Sequence, residues 1–277
     1  MLQIQSDIII IGAGAAGLMA AYGAASELAA QGKIAQVTIL EKMSRPARKV
    51  MITGKGRCNF TNLKQWNDFS AHIRSKSNFV KPAFYNLTSE KMIEFLESHG
   101  LETVVERGDR AFPASYHASD VVDTLVKAAR RFGAKIETDV TVTDIIATND
   151  GYQVNCNKGQ IYRCAKLIIA TGGLSYPTTG STGDGYKWAE KMEHSIKQLF
   201  PSLTAMVPKG YKVEAEPAQN GYFETRGHID RSTPLSEIGQ TLQGIQLKNI
   251  QLTSIIDGNE TDSEFGDIDF TDGGEEQ

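Results

Sequence analysis

The chain has 277 residues, 40% of them hydrophobic and 22% charged, the profile of a globular protein with room for one large domain or two ordinary ones. It contains no run of about 18 apolar residues, which argues against a membrane span, and Asp7 interrupts the first apolar stretch where a signal peptide would need its hydrophobic core. The net charge of −4 is uneven: Asp257 to Gln277 holds nine acidic residues and no Lys or Arg, leaving 29 basic against 24 acidic residues elsewhere, without the clustered basic surface a nucleic-acid partner would require. The expectation is a cytoplasmic protein with neither membrane nor nucleic acid as partner, and an acidic end that is solvated or disordered.

Asp7 to Ile11 is a short continuous apolar run, the pattern of a buried parallel strand. The loop Gly12-Ala13-Gly14-Ala15-Ala16-Gly17 follows, then an alanine-rich helix to about Gln31 with Gly32 in the terminating position. Gln36 to Leu40 reads as a second strand ending in Glu41, which completes one βαβ unit. Lys42 to Asn62 shows no regular periodicity, and a loop of that length is usually functional or disordered. Helices are expected over Ser89–Ser98 and Ser119–Phe132, followed by Gly100 and Gly133; Val121, Val122, Leu125, Val126 and Ala129 repeat at helical spacing in the second.

From Lys135 to Cys164 the pattern changes to strands, with a hairpin turn at Asn149-Asp150-Gly151. Leu167 to Ala170 reads as another buried strand, ending in Thr171-Gly172-Gly173, and a short helix follows over Gly185 to Glu193. Beyond Pro201 the chain is richer in Gly, Pro and polar residues, with β-like runs such as Ile250 to Ile256. The fold class read from this order is α/β: a Rossmann-type domain over 1–195, then a β-rich stretch over 196–277, which the resemblance given below marks as a partial substrate domain.

Each glycine of the loop has a mechanical reason. Gly12 permits the tight turn out of the strand, Gly14 lets the backbone approach a pyrophosphate, and Gly17 allows close helix–strand packing. The helix N-terminus offers N–H groups and partial positive charge to phosphates. Glu41 is placed to accept hydrogen bonds from adenosine ribose hydroxyls, and its charge would repel a 2′-phosphate. Dinucleotide binding follows, with FAD and NAD as the candidates. A second strand-to-glycine turn, Leu167 to Gly173, is placed to bring the chain back beside the first βαβ unit. The run Arg48-Lys49 to Asn62 combines glycines, cations and asparagines in a loop suited to pyrophosphate and to a flavin's polar edge.

Other chemistries find little support. Cys58, Cys156 and Cys164 form no CxxC pair and no metal-ligand spacing, the five histidines are scattered, and the acidic run near Asp267 lacks the spacing of a calcium loop. No metal site is expected, and no catalytic acid or base is assigned. Trp66 and Trp188 read as packing residues.

The run Lys49 to Asn62, the Gly12 to Gly17 fingerprint, the segment Arg110-Ala-Phe-Pro113 and the segment Ala170-Thr-Gly-Gly-Leu-Ser-Tyr-Pro-Thr-Thr-Gly-Ser-Thr-Gly-Asp-Gly185 together resemble the BaiN/YhiN-like bacterial NAD(P)/FAD-dependent oxidoreductases, relatives of aminoacetone oxidase. The resemblance covers residues 5 to 210 and implies a GR2-like FAD-binding domain with an inserted, β-rich substrate domain, non-covalent FAD, a small-molecule substrate and NAD(P)H as a possible electron donor. It implies cofactor contacts at Gly12, Gly14, Ala15, Ala16, Gly17, Glu41, Lys42, Lys49, Gly54, Arg57, Cys58, Asn59, Val142, Ala170, Thr171 and Gly172, with Arg57 or a nearby backbone N–H at the flavin's N1–C2=O edge. Where the family commonly carries three glycines before Arg-Cys-Asn, this chain has Gly54-Lys55-Gly56.

The family's flavin domain resumes after the inserted domain with a final strand and a ribityl-binding acidic residue, whereas this chain stops at Gln277, soon after Phe270-Thr-Asp-Gly-Gly274. It therefore resembles a truncated member, and Gly266-Asp267 is a poor substitute for the ribityl contact. Two alternatives stay open at this point: an NAD-only dehydrogenase, and a fragment that binds nucleotide weakly or not at all.

Overall fold

The computed structural model describes residues 2–73, 76–200, 241 and 244–270. The chain divides into two compact units, 1–196 and 197–277.

The first unit is built on four parallel strands. Strand β1 (Leu2–Gln5) precedes β2 (Ile8–Ile11), helix α1 (Ala15–Ala30) and β3 (Val37–Leu40). Helix α2 (Arg48–Ile52), β4 (Thr61–Asn62), α3 (Trp66–Ala71), α4 (Lys81–Asn86) and α5 (Ser89–Ser98) follow. Next come β5 (Thr103–Glu106), β6 (Arg110–Pro113), α6 (Ala118–Arg131) and β7 (Lys135–Glu137). A meander of β8 (Val142–Thr148), β9 (Gly151–Cys156) and β10 (Gln160–Cys164) leads to β11 (Lys166–Ile169) and α7 (Asp184–Lys191). The central sheet has the order β11-β2-β3-β7, every neighbouring pair parallel.

Both faces of that sheet are covered, which is why β2 is apolar throughout rather than alternating. Ile10 packs with Leu18, Ala21 and Ala25 of α1 and Val121, Leu125 and Ala129 of α6. Ile9 and Ile11 point the other way, into a second core with Ile145, Val154, Tyr162 and Trp188. The meander joins β1 in a sheet of order β1-β10-β9-β8, so β1 is held by a parallel pairing to residues 160–163. Tyr162 is fully buried and its hydroxyl donates to Glu137 Oε2 at 2.6 Å, tying the meander to the end of the parallel sheet. A third sheet, β4-β6-β5, is antiparallel.

The expected α5 is found residue for residue, and the expected Ser119–Phe132 helix begins and ends one residue earlier. The stretch from 42 to 62, expected to lack regular structure, instead contains α2, a 3-10 turn over Thr53–Gly56 and the two-residue β4. Those elements are too short to show a repeat.

In the second unit, β12 (Gln246–Ile256) and β13 (Asn259–Asp269) form an antiparallel hairpin. Its two-residue turn, Asp257-Gly258, has φ of +51° and +80°, the left-handed pair a tight hairpin requires. The acidic stretch expected to be solvated or disordered is a strand through Asp269 with mostly exposed side chains: it is solvated but ordered, because backbone pairing with β12 supplies order its polar side chains do not. Gly266, weighed above as a poor substitute for the ribityl contact, is opposite Ile250 in this ladder. Residues 271–277 lie outside the described residues.

Leu18 is fully buried between α1 and the parallel sheet. Leu18→Ala is expected to lower unfolding free energy by about 2–5 kcal/mol, the usual range for emptying such a site, measured by urea denaturation.

Candidate functional site

The site grows from the end of β2. Gly12 leaves the strand at φ +100°, and its N–H donates to Leu40 O at 2.8 Å. A Cβ at Gly12 would lie 2.5 Å from Ala170 O, and one at Gly17 would lie 1.9 Å from Gly12 O, so neither position accepts a side chain without backbone movement. Gly14 differs: a Cβ there meets nothing within 4 Å, leaving the backbone open to close approach. Helix α1 begins immediately after it with no side-chain cap and no acidic residue in its first turn. Its leading N–H groups and positive dipole end are therefore available to an anion.

Gly12, Gly14, Ala15 and Ala16 line a cleft of about 700 Å³, within the roughly 300–1,000 Å³ of small-molecule and cofactor sites. The segment after β3 contributes Glu41, Lys42, Arg45, Arg48 and Lys49, and the segment after β11 contributes Ala170, Thr171, Gly172, Ser181 and Asp184. Val140, Val142 and Trp188 complete an apolar part of the lining. The cleft lies at the carboxyl ends of parallel strands, where open α/β sheets hold their ligands.

Glu41 is buried, at 8% exposure, yet satisfied. Its Oε2 accepts from Ala13 N at 2.7 Å and its Oε1 from Met43 N at 2.8 Å. Each carboxylate oxygen has a further lone pair for a ligand hydroxyl. Ala47, at φ +53°, donates its N–H to Ala13 O at 2.9 Å. The glycine loop is thus held by two separate hydrogen bonds from the segment that follows β3.

Two lysines from that segment reach across to the next. Lys42 Nζ donates to Thr182 Oγ1 at 2.6 Å and to Asp184 Oδ2 at 2.8 Å. Lys49 Nζ donates to Ser175 O at 2.6 Å and to Ser181 Oγ at 2.8 Å. Burial lowers the Lys49 pKa. Burial pushes the Asp184 carboxyl up, but the hydrogen bonds from Lys42 and Thr182 and the Lys42 charge outweigh it and leave the group below its ordinary value.

The remaining expected site residues stand elsewhere. Gly17 packs against Gly12, away from the cleft lining. Gly54, Arg57, Cys58 and Asn59 do not line the cleft, although their neighbours Val50 and Thr53 do. The Arg57 guanidinium lies against two neighbouring rings, 4.6 Å from the Phe112 centroid and 4.5 Å from that of Tyr116, and donates to Glu106 Oε1 at 2.6 Å. Cys58 is buried, which raises its thiol pKa against a smaller opposing hydrogen bond from Thr53. With its amide oriented to satisfy its neighbours, Asn59 donates to Thr61 O at 2.9 Å and Ala111 O at 3.2 Å. Lys55, between Gly54 and Gly56, adopts φ +56°.

Sequence reasoning passed over Arg45, Ser181 and Asp184, and it read Trp188 as packing alone. Arg45 stands four residues after Glu41, and Ser181 and Asp184 belong to the Gly-rich segment already singled out, so their positions were available as a signal. Trp188 does both jobs, sitting in the second core while lining the cleft.

Glu41→Gln replaces an acceptor oxygen with a donor amide facing a backbone N–H. One of the two bonds Glu41 accepts, from Ala13 N or from Met43 N, is lost, and a destabilisation of about 1–3 kcal/mol is expected from the unsatisfied buried donor, read from urea denaturation.

The family model described as HI0933-like protein Rossmann domain matches residues 6–260. The ribosomal RNA dihydrouridine synthase of Escherichia coli K12 is 32% identical over 202 residues, covering 73% of this chain and 47% of that protein. The 3-dehydro-bile acid delta(4,6)-reductase of Clostridium scindens is 34% identical over 205 residues, covering 74% of this chain and 48% of that protein. The Haemophilus influenzae ribosomal RNA dihydrouridine synthase is 34% identical over 214 residues, covering 75% and 49%. The chain spans about half the length of these curated relatives. With a family model matched from the start of the first βαβ unit into the second unit, over a cleft built as described, the chain belongs to the HI0933-like Rossmann family of FAD-binding flavoproteins.

Proposed function

We propose that this chain carries the FAD cradle of an FAD-dependent oxidoreductase acting on a small molecule, with NAD(P)H as a possible electron donor. The observation that carries the reading is the junction at Gly14: an open backbone, an uncapped helix start and the buried Glu41 carboxylate meet at one cleft. In this reading the backbone of Gly12, Gly14, Ala15 and Ala16 faces the pyrophosphate, assisted by the charges of Arg45 and Arg48. Glu41 takes the adenosine ribose, the Val142 backbone the adenine, and Ala170, Thr171 and Gly172 the flavin nucleotide. FAD supplies the redox chemistry when bound, while the protein fixes its place and surroundings.

The relatives' names point to different substrates, a 3-dehydro-bile acid in one and ribosomal RNA in the others. Those substrates belong to those proteins, and the absence of a basic cluster in this sequence favours a small molecule over nucleic acid for this chain. No described helix is long and apolar enough to cross a membrane. A cytoplasmic location belongs to the same proposal.

An absorbance spectrum of the purified chain, with the released cofactor identified by mass, tests the reading. Oxidised-flavin bands and the mass of FAD support it. Bound NAD without flavin would replace it with a nicotinamide enzyme, and a colourless protein that takes up no added FAD would overturn it.

Gly14 gives a more selective check. Its φ of −72° suits any residue, and a side chain there meets only open space, so Gly14→Val should leave the melting temperature close to that of the parent. It should weaken FAD binding at least about tenfold by occupying the approach to the pyrophosphate, measured by flavin fluorescence titration.

A further inference from the structure

We propose that Lys42 and Lys49 act as a two-point clasp, fixing the segment from Leu174 to Asp184 against the cleft and thereby setting how long a bound dinucleotide stays. The inference rests on the FAD reading above and assigns these lysines a positioning role rather than direct contact with the cofactor.

Both cations arise within eight residues of each other, on the segment after β3. Both span more than 120 positions of sequence to reach the segment after β11, since Lys42 meets Thr182 and Asp184 while Lys49 meets Ser175 and Ser181. Each ammonium has two oxygen partners at 2.6–2.8 Å, all of them on that one segment. Thr182 reinforces the first point by donating to Asp184 Oδ2 at 2.9 Å. Charge-assisted bonds of this kind are stronger than neutral ones, and the Lys42–Asp184 pair is about three-quarters shielded, with side-chain exposures of 24% and 28%.

Between the two anchor points the segment lies close against the site. A Cβ at Gly180 would come 2.9 Å from Met43 Cγ, and Met43 is the residue whose N–H Glu41 holds. A Cβ at Gly172 would come 2.7 Å from Ser181 Oγ, so the segment also folds back onto the Thr171-Gly172 turn. Thr179, Gly180, Ser181 and Asp184 line the cleft together with both lysines. A ligand in the cleft would therefore have this segment as part of its enclosure, and the clasp is what the segment must release to move aside.

The clasp is tested at two levels. In flavin-free protein, Lys42→Met and Lys49→Met should each raise backbone hydrogen exchange at residues 174–184 by about tenfold, the scale expected for losing a charge-assisted bond, with exchange in β2, β3 and α1 unchanged. Unchanged exchange at 174–184 overturns the proposal. A uniform rise throughout the first unit reports general destabilisation, and Ser181→Ala, which deletes one hydroxyl partner of Lys49, then decides: a rise confined to 174–184 supports the clasp, and its absence overturns it.

In FAD-loaded protein, Lys42→Met and Asp184→Asn should each accelerate FAD release by a similar factor, with the double variant no faster than either single one. Additive effects would show Lys42 acting on the cofactor by itself and would overturn the clasp. A parent protein that binds no FAD defeats the functional reading, while the exchange result still decides whether the lysines hold the segment.

Discussion

The Glu41 carboxylate is the constraint on which the rest of the first unit's site depends. It is buried, and a buried charge is costly unless hydrogen-bonded. Here its two oxygens accept the N–H groups of Ala13 and Met43. One residue belongs to the loop after β2 and the other to the segment after β3, so a single side chain fixes the separation of two strand ends. The bond from Gly12 N to Leu40 O extends the β2–β3 pairing one step beyond the last strand residues. The open backbone at Gly14 and the uncapped start of α1 then fall into place beside the cleft.

The same sheet explains how a distant part of the chain joins the site. Successive residues of β2 face opposite cores, Ile10 toward α1 and α6, and Ile9 and Ile11 toward the meander. Packing the meander on that second face brings Val140 and Val142 to the cleft, and α7 adds Trp188. Cys156 lies in this core, where burial, with a smaller push from the Glu137 charge, takes its thiol up to about 12. Cys164 is raised in the same direction by burial. These groups are filling for a dry interface rather than nucleophiles.

What could be read in the sequence follows from how local each signal is. The first βαβ unit rests on glycine spacing, an apolar run and a helix of about four turns, all contiguous, and it stands where expected. Strand β1 alternates as Leu2-Gln3-Ile4-Gln5, but four residues at a terminus carry little weight without knowledge of the parallel partner at residues 160–163. Strands β4 to β6 are two to four residues long and exist through mutual pairing. The acidic β13 has the composition of a solvated tail, and the turn signal that reveals it, Asp257-Gly258, sits at the very start of the acidic run.

The Arg57-Cys58-Asn59 loop shows the same distinction within the candidate site. As bare residue types, a cation, a thiol and an amide beside glycines suggest direct contact with a polar ligand. In the fold each is already engaged: Arg57 against two rings and on Glu106, Cys58 in the core, Asn59 on backbone carbonyls at Thr61 and Ala111. These contacts fasten the loop to β4, β5 and β6, and Cys58 is held at φ +57°, a conformation that costs energy for a residue with a side chain. The motif therefore specifies a loop shape, and that shape begins directly after α2, where Arg48 and Lys49 line the cleft. The same loop thus joins the short sheet to the end of α2, whose Arg48 and Lys49 line the cleft.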